Sequence, residues 1–301
     1  MILIHQVDEL RTYLKKERLS SAKEGRELSV GFVPTMGFLH DGHASLLKQA
    51  REHNDLVVLS IFVNPIQFGP GEDLDRYPRD EERDLALAKR EGVDIVFLPS
   101  VLEMYPKPTK TKIVVSELTS GLCGASRPGH FDGVTTVVGK LLHMISPTRA
   151  YFGLKDAQQA AVIRQMVDDL NFDVEIIPCP IIRESDGLAL SSRNVYLGTE
   201  EREQALVLSK SLREAEEMIR SGRSVSLSEV RDTITAKINS KPLAEIDYVD
   251  ILQFPGLTPV DESMPATQIK GEIIIALAVK FGKTRLIDNI LLSPEGVVNH
   301  V

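Results

Sequence analysis

An α/β chain, with a doubly wound parallel sheet followed by a smaller α+β unit, is the fold class that these 301 residues predict. Three observations carry the prediction. Through the first 180 residues or so, short β-branched runs alternate with longer segments of helical period, and strand–helix–strand repetition builds a parallel sheet flanked by helices. Most of those runs are nearly continuous in apolar residues, the pattern of strands buried on both faces. After "SSRNVYL" the order changes to helices followed by strands, as in an α+β unit.

The strands expected in the first part are "LSVGFVP" (28–34), "LVVLSIFVN" (56–64), "DIVFLP" (94–99), "RAYFG" (149–153) and "VEIIPCP" (174–180). Helices are expected at about 42–53, 79–92, 131–145 and 156–170. In the last of these, Ala160, Ile163, Met166, Val167 and Leu170 follow the three-four spacing of one apolar face. A boundary near residue 182 gives domains 1–182 and 183–301.

Past it, "TEEREQALVLSKSLREAEEMIRSG" (199–222) reads as one helix, with Thr199 as N-cap and Glu200 and Glu201 at the positive end of the dipole. Arg202 stands where a capping box needs Glu or Gln, and Gly222 supplies the stop. A second helix is expected over 226–240, then strands at 245–253 and 271–292, the latter folded back at "FGKTR".

Composition narrows the function. Apolar residues at 43% and charged residues at 26% are ordinary for a globular domain and exclude a disordered or fibrous chain. The net charge of -8 opposes wrapping a polyanion, so no nucleic-acid partner is expected, although a small basic pocket could hold a nucleotide. Cys123 and Cys179 have apolar or small neighbours and no second ligand at zinc-finger spacing; both are expected reduced and metal-free. The N-terminal stretch reaches charge by Asp8, unlike a signal peptide. No apolar run approaches the roughly eighteen residues that cross a bilayer. A cytoplasmic protein without a membrane partner is the expectation.

The chemistry gathers at strand ends. "FVPTMGFLHDGHASLLKQAR" places Met36, Gly37, His40 and His43 where a strand turns into a helix. In a doubly wound sheet ligands bind outside the carboxyl ends of the strands, and a helix N-terminus there offers unpaired N–H groups to phosphate. A single His near a turn is more often a surface or capping residue, and neither a zinc H-E-x-x-H pair nor a G-x-G-x-x-G fingerprint is present here. Asn64 and Gln67 follow the second strand, and neutral amides can fix hydroxyl or carboxylate groups without adding charge. The Gly-, Pro- and acid-rich segment 69–84 suits a flap whose Asp residues could reach Mg²⁺, although a solvated charge run would look similar. Arg127 and His130 precede the third helix, and Lys155, Asp156, Gln158 and Gln159 open the fourth. Ser191, Ser192 and Arg193 combine two hydroxyls with a guanidinium, a chemically sensible phosphate clamp.

Six stretches, "PTMGFLHDGH", "SIFVNPIQF", "YPR", "SRPGHFDGV", "FGLKDAQQ" and "RESDGLALSSRN", resemble in order and spacing the motifs of the pantothenate synthetase (pantoate–β-alanine ligase) family. The resemblance covers most of residues 28–197. It implies a Rossmann-like domain of the HxGH nucleotidylyltransferase type over 1–182 that binds ATP and pantoate, and a homodimer. It further implies an adenylate-forming ligase: pantoate attacks ATP to give pantoyl adenylate and pyrophosphate, and β-alanine then displaces AMP to form pantothenate. On this resemblance the catalytic residues are His40, His43, Lys155 and Arg193. The ATP-binding set is Met36, Gly37, His40, His43, Gly153, Lys155, Asp156, Ile182, Leu190, Ser191, Ser192 and Arg193. Pantoate is assigned to Asn64, Gln67 and Gln159, and Mg²⁺, entering with ATP, to a carboxylate after "YPR", with Asp84 taken over Asp80. His43 is a proton donor or an electrostatic stabiliser on this reading.

The implied chemistry suits those residue types. A carboxylate approaching an anionic α-phosphate needs positive groups to offset repulsion and to stabilise charge growing on the phosphate oxygens. Leu154 and Ala157 depart from the Glu and the aromatic residue found in many relatives, which bears on nucleotide or pocket detail and not on the reaction. Three other readings compete. A nucleotidylyltransferase sharing the HxGH turn would be expected to carry more basic residues for its acceptor phosphate. An ATP-sensing module would not need both histidines with Lys155 and Arg193, and an RNA-charging enzyme conflicts with the acidic balance.

Overall fold

The computed structural model describes residues 1–221, 224–293 and 296–297. By contact the chain divides into two compact units. The first comprises Met1–Ser116, Arg127–Leu154 and Val162–Cys179; the second comprises Glu117–Ser126, Lys155–Ala161 and Pro180–Val301. Two short excursions of the N-terminal part thus group with the C-terminal unit.

Up to Cys179 the elements are β1 (Ile2–Ile4), α1 (Val7–Lys23), β2 (Val30–Thr35), α2 (Asp41–His53), β3 (Leu56–Ile61), α3 (Glu81–Arg90), β4 (Ile95–Phe97), α4 (Val101–Met104), α5 (Leu122–Ser126), α6 (His130–Ile145), β5 (Arg149–Gly153), α7 (Ala157–Asp169) and β6 (Glu175–Cys179). The strands form one six-stranded sheet in the order β1-β4-β3-β2-β5-β6, with every pair parallel. The apolar runs become strands because helices cover both faces of such a sheet; β3, "LVVLSI", is buried at all six positions. On one side Val33, Leu47, Leu59, Val96 and Tyr151 meet in a fully buried cluster.

From β2 the sheet grows one way through β3 and β4 and the other way through β5 and β6. The order therefore reverses between β2 and β5, and the crevice of a doubly wound sheet opens at the carboxyl ends of those two strands. The turn with His40 and His43 follows β2, and Gly153 ends β5. In α7 the expected apolar face holds for Ala160, Ile163, Met166 and Val167, all buried, but Leu170 lies past the helix end and is 53% exposed.

The second unit continues with α8 (Thr199–Ala205), α9 (Val207–Arg220), α10 (Leu227–Asn239), β7 (Ala244–Phe254), β8 (Thr258–Pro259), β9 (Glu272–Phe281), β10 (Thr284–Ser293) and β11 (Gly296–Val297). Its antiparallel sheet has the order β11-β10-β9-β7-β8. The β9–β10 hairpin turns at "FGKTR" as expected, with Gly282 at φ +58 in a two-residue loop that a left-handed glycine suits. Leu212, Val230, Ile234, Ile275, Leu277 and Phe281 belong to the core that α9 and α10 share with this sheet.

The helix expected over 199–222 is two helices, broken at Leu206. Its start also shifts. The N-cap is Gly198 and not Thr199, and the Glu201 carboxylate accepts from the Gly198 N–H at 2.9 Å, so one half of a capping box is present one residue earlier than expected. The expected stop at Gly222 lies outside the described residues. For α10, Ser226 and Glu229 form the full reciprocal box. Among the described residues no helix is long and apolar enough to cross a membrane.

Candidate active site

The turn after β2 is built by two consecutive left-handed residues, Gly37 at φ +85 and Phe38 at φ +49. A side chain at 37 would place its Cβ 2.9 Å from Asp84 Oδ2 and 3.0 Å from Ile61, so only glycine fits that position unstrained. The chain then enters α2 with His40 as N-cap. The His40 ring accepts from the Gly42 N–H through Nδ1 at 3.1 Å, and the His43 ring accepts from the His40 N–H through Nδ1 at 3.3 Å. Two imidazoles thus do what Ser and Glu do in an ordinary capping box. An Nδ1 that accepts carries no proton, so each neutral ring holds its hydrogen on Nε2. The ring centroids lie 4.1 Å apart. The turn therefore presents two ring N–H groups beside a positive helix end, an arrangement suited to phosphate oxygens.

Asp84, on the first turn of α3, is 2% exposed and accepts from the Phe38 N–H at 2.8 Å and the Leu39 N–H at 2.6 Å. Burial pushes its carboxyl above the ordinary value, against the two backbone donors that pull it down. Each carboxylate oxygen already serves the turn. Asp80 instead caps α3, its side chain accepting from the Arg83 N–H at 3.1 Å. Both carboxylates named from the sequence are thus engaged with backbone donors, and among the described residues no group of three or more His, Cys, Asp or Glu able to hold a metal occurs.

Asn64 is the N-cap and Gln67 the last residue of a single turn of 3-10 helix, Pro65–Gln67, and both are buried. Asn64 Nδ2 donates to the Gly133 carbonyl at 3.1 Å and to Gln67 Oε1 at 3.0 Å, while Asn64 Oδ1 accepts from the Tyr105 hydroxyl at 2.8 Å. A carbonyl can only accept, so Gly133 fixes which end of Asn64 is nitrogen, and Asn64 in turn fixes Gln67. Gln67 Nε2 is left on the other side, 3.4 Å from Met36 Sδ. The Gln67 carbonyl accepts from His130 Nδ1 at 2.8 Å; His130 Nε2 accepts from Arg127, which also grips Glu72 with two bonds of 2.8 and 2.5 Å. Sequence reasoning overlooked Tyr105 and Gly133. A Cβ at Gly133 would lie 2.6 Å from Gln67 Cα, and a glycine inside a helix is the signal that could have found it.

In the second unit, Lys155 sits half-buried in the 3-10 turn Leu154–Asp156, its carbonyl accepting from Asn289 Nδ2 at 3.1 Å. Asp156 is exposed and Gln159 half-buried. Gln158 is structural, donating to the carbonyls of Leu118 and Gly121. The departures at Leu154 and Ala157 are both buried.

"RESDGLALSSRN" folds as a small loop in which the Leu190 N–H donates to the Ile182 carbonyl at 3.0 Å. Its charges secure it. Arg183 forms a bidentate pair with the buried Asp288, and Arg202 bonds both Glu184 and Asp186. Ser191 then caps the 3-10 turn Ser192–Tyr196 by accepting from the Arg193 N–H. Ser192 is buried and Arg193 half-buried.

Comparison with known proteins accounts for this set of motifs. The pantoate-beta-alanine ligase family profile matches residues 2–291. A pantothenate synthetase from Acetivibrio thermocellus is 59% identical over 263 residues, 87% of this chain and 91% of the relative. The crystal structure of pantothenate synthetase from Thermus thermophilus has a TM-score of 0.87 at 46% identity, covering 96% of this chain and 99% of that one. A pantoate-beta-alanine ligase from Francisella tularensis, solved in complex with Beta-gamma ATP and Beta-alanine, has a TM-score of 0.76 at 35% identity, covering 97% of each chain. With the histidine turn, the amide cluster and the Ser-Ser-Arg loop all lying within the matched span, the chain belongs to the pantoate–β-alanine ligase family of enzymes.

Proposed function

We propose that this chain condenses pantoate with β-alanine through a pantoyl adenylate. In the first step a pantoate carboxylate oxygen bonds to the α-phosphorus of ATP and pyrophosphate leaves. In the second, the β-alanine amine attacks the acyl carbon, the C–O bond to AMP breaks, and the amine gives up its proton. The observation that carries the reading is the reciprocal capping of His40 and His43, which holds two Nε2–H donors at the helix end beside the switch point of the sheet. The Francisella tularensis complex supports ATP and β-alanine as ligands of this fold.

In this proposal His40 and His43 hydrogen-bond through Nε2–H the phosphate oxygens on which charge grows and act as electrostatic stabilisers, because a neutral ring whose Nδ1 accepts has no acidic proton to give. Lys155 and Arg193 neutralise phosphate charge, with Ser191 and Ser192 as hydroxyl donors. Met36, Gly37, Gly153, Asp156, Ile182 and Leu190 complete the nucleotide contacts. Gln67 and Gln159 position pantoate with neutral amides, so the carboxylate is not trapped in a salt bridge. Mg²⁺ enters as the counter-ion of ATP. A homodimer, a cytoplasmic location and a folding boundary near residue 182 belong to the same proposal.

The test is incubation with Mg-ATP and pantoate, with and without β-alanine, followed by mass analysis. Pantothenate, AMP and pyrophosphate with all three substrates, and pantoyl adenylate without β-alanine, are expected. Turnover that requires a phosphate acceptor instead would favour a nucleotidylyltransferase, and ATP binding without turnover an inactive module. His43→Ala should lower kcat by about 10²- to 10³-fold, the scale of one lost oxyanion donor; near-normal turnover would sink its role.

A further inference from the structure

We propose that Asp84 is the positioning residue of the histidine turn, holding it by the Phe38 and Leu39 N–H groups, and is not a magnesium ligand. The inference rests on the reading of His40 and His43 as the groups that meet ATP. Its observations are independent of that reading.

Asp84 sits on α3, more than forty residues along the chain from the turn it grips. Its two oxygens take one backbone N–H each, at 2.8 and 2.6 Å, from the consecutive residues Phe38 and Leu39. Those N–H groups can converge on one carboxylate because Gly37 and Phe38 both have positive φ, which turns successive amides toward the same side. Gly37 packs so closely on Asp84 Oδ2 that a Cβ there would lie 2.9 Å away. Arg83, the preceding residue of α3, lies over the Phe38 ring at 4.9 Å to its centroid, a second hold from the same helix turn. His40, the next residue after Leu39, is the N-cap whose ring geometry the turn delivers. Mg²⁺ demands near-octahedral oxygen ligands at about 2.0–2.1 Å and keeps several waters. A carboxylate at 2% exposure with a charge-assisted bond on each oxygen is poorly suited to that shell.

The experiment is Asp84→Asn in the full chain. The amide keeps size and shape but has a single acceptor oxygen, and its NH₂ faces one of the two backbone donors. Expected are a fall in kcat of tenfold or more, a half-saturating Mg²⁺ concentration within twofold of wild type at saturating ATP, and displaced imidazole ¹⁵N signals of His40 and His43 in the substrate-free protein. A tenfold rise in the Mg²⁺ requirement with unmoved histidine signals would overturn the proposal. So would an unchanged kcat in a protein that makes pantothenate. The NMR arm needs no substrate, so it decides the turn's dependence on Asp84 even if the ligase reading fails. Should the variant not fold, the wild-type protein decides: the Phe38 and Leu39 amides are expected to resist hydrogen exchange. Exchange at open-loop rates would refute it.

Discussion

The Tyr105 hydroxyl donates to Asn64 Oδ1 at 2.8 Å, and this bond joins the Gly133 carbonyl in setting the polarity of the Gln67 amide. Burial pushes the Tyr105 hydroxyl up to about 12, so it remains a donor throughout any practical assay range. With Asn64 Nδ2 spent on Gly133 and Gln67 Oε1, the residue is 1% exposed and its donors are used. Asn64 therefore acts by orienting Gln67, whose Nε2 donors match the acceptor oxygens of a carboxylate or hydroxyl such as the proposed pantoate.

Tyr105→Phe removes that bond and keeps the ring, which Lys140 Nζ holds at 4.6 Å from its centroid. One net hydrogen bond is worth about 1 kcal/mol, so KM for pantoate should rise roughly five- to tenfold. Calorimetry with ATP should show affinity within about twofold of wild type. Equal losses for both ligands would mean that Tyr105 supports the unit as a whole.

Much of this was legible in the sequence, and the limits are physical. Strands β2 to β5 announce themselves because burial on both faces leaves an almost unbroken apolar run, whereas the edge strand β6 shows its apolar run although only Cys179 in it is buried. The three residues of β1 are too short to show any period, and α1 buries only Leu10, Leu14 and Ser21 of seventeen residues, so its charged remainder masks the face. The histidine turn is readable because its bonds span two or three residues. Asp84 and Tyr105 act across 45 or 46 and 41 residues respectively, and local pattern carries no trace of such partners. A carboxylate after "YPR" was visible; that it would face two backbone N–H groups was not.

Gly133→Ala gives a test by sign. In an exposed helix interior this change stabilises by up to about 1 kcal/mol. Here the new Cβ would meet Gln67 Cα and the Ile66 carbonyl, both at 2.6 Å, and backbone cannot step aside as a side chain can. A loss of about 1–3 kcal/mol in urea unfolding is expected, together with a raised KM for pantoate. Gly139→Ala on the same helix meets the tip of Ile113 at 2.5 Å, a movable methyl, and should cost less. If the two variants lose stability equally, the backbone contact at Gln67 is not the cause.

Glu72 ties the segment after Gln67 to Arg127, with side chains 23% and 19% exposed. The hydrogen-bonded guanidinium holds the Glu72 carboxyl below its ordinary value. The folded state therefore binds this proton less readily than the unfolded chain, whose glutamates titrate near about 4.3. The ion pair's stabilisation is full above that value and is lost as pH falls through the lower folded one. Hydrogen exchange over residues 69–76, corrected for its intrinsic pH dependence, should accelerate across that acidic window and hold steady from about pH 5 to 8. Glu72→Gln should show faster exchange than wild type above the acidic window, converge with it below, and lack the acidic step, because a neutral amide cannot restore the bidentate charge-assisted pair. A step that survives in the variant would assign it to another carboxylate, since Arg127 keeps its charge throughout.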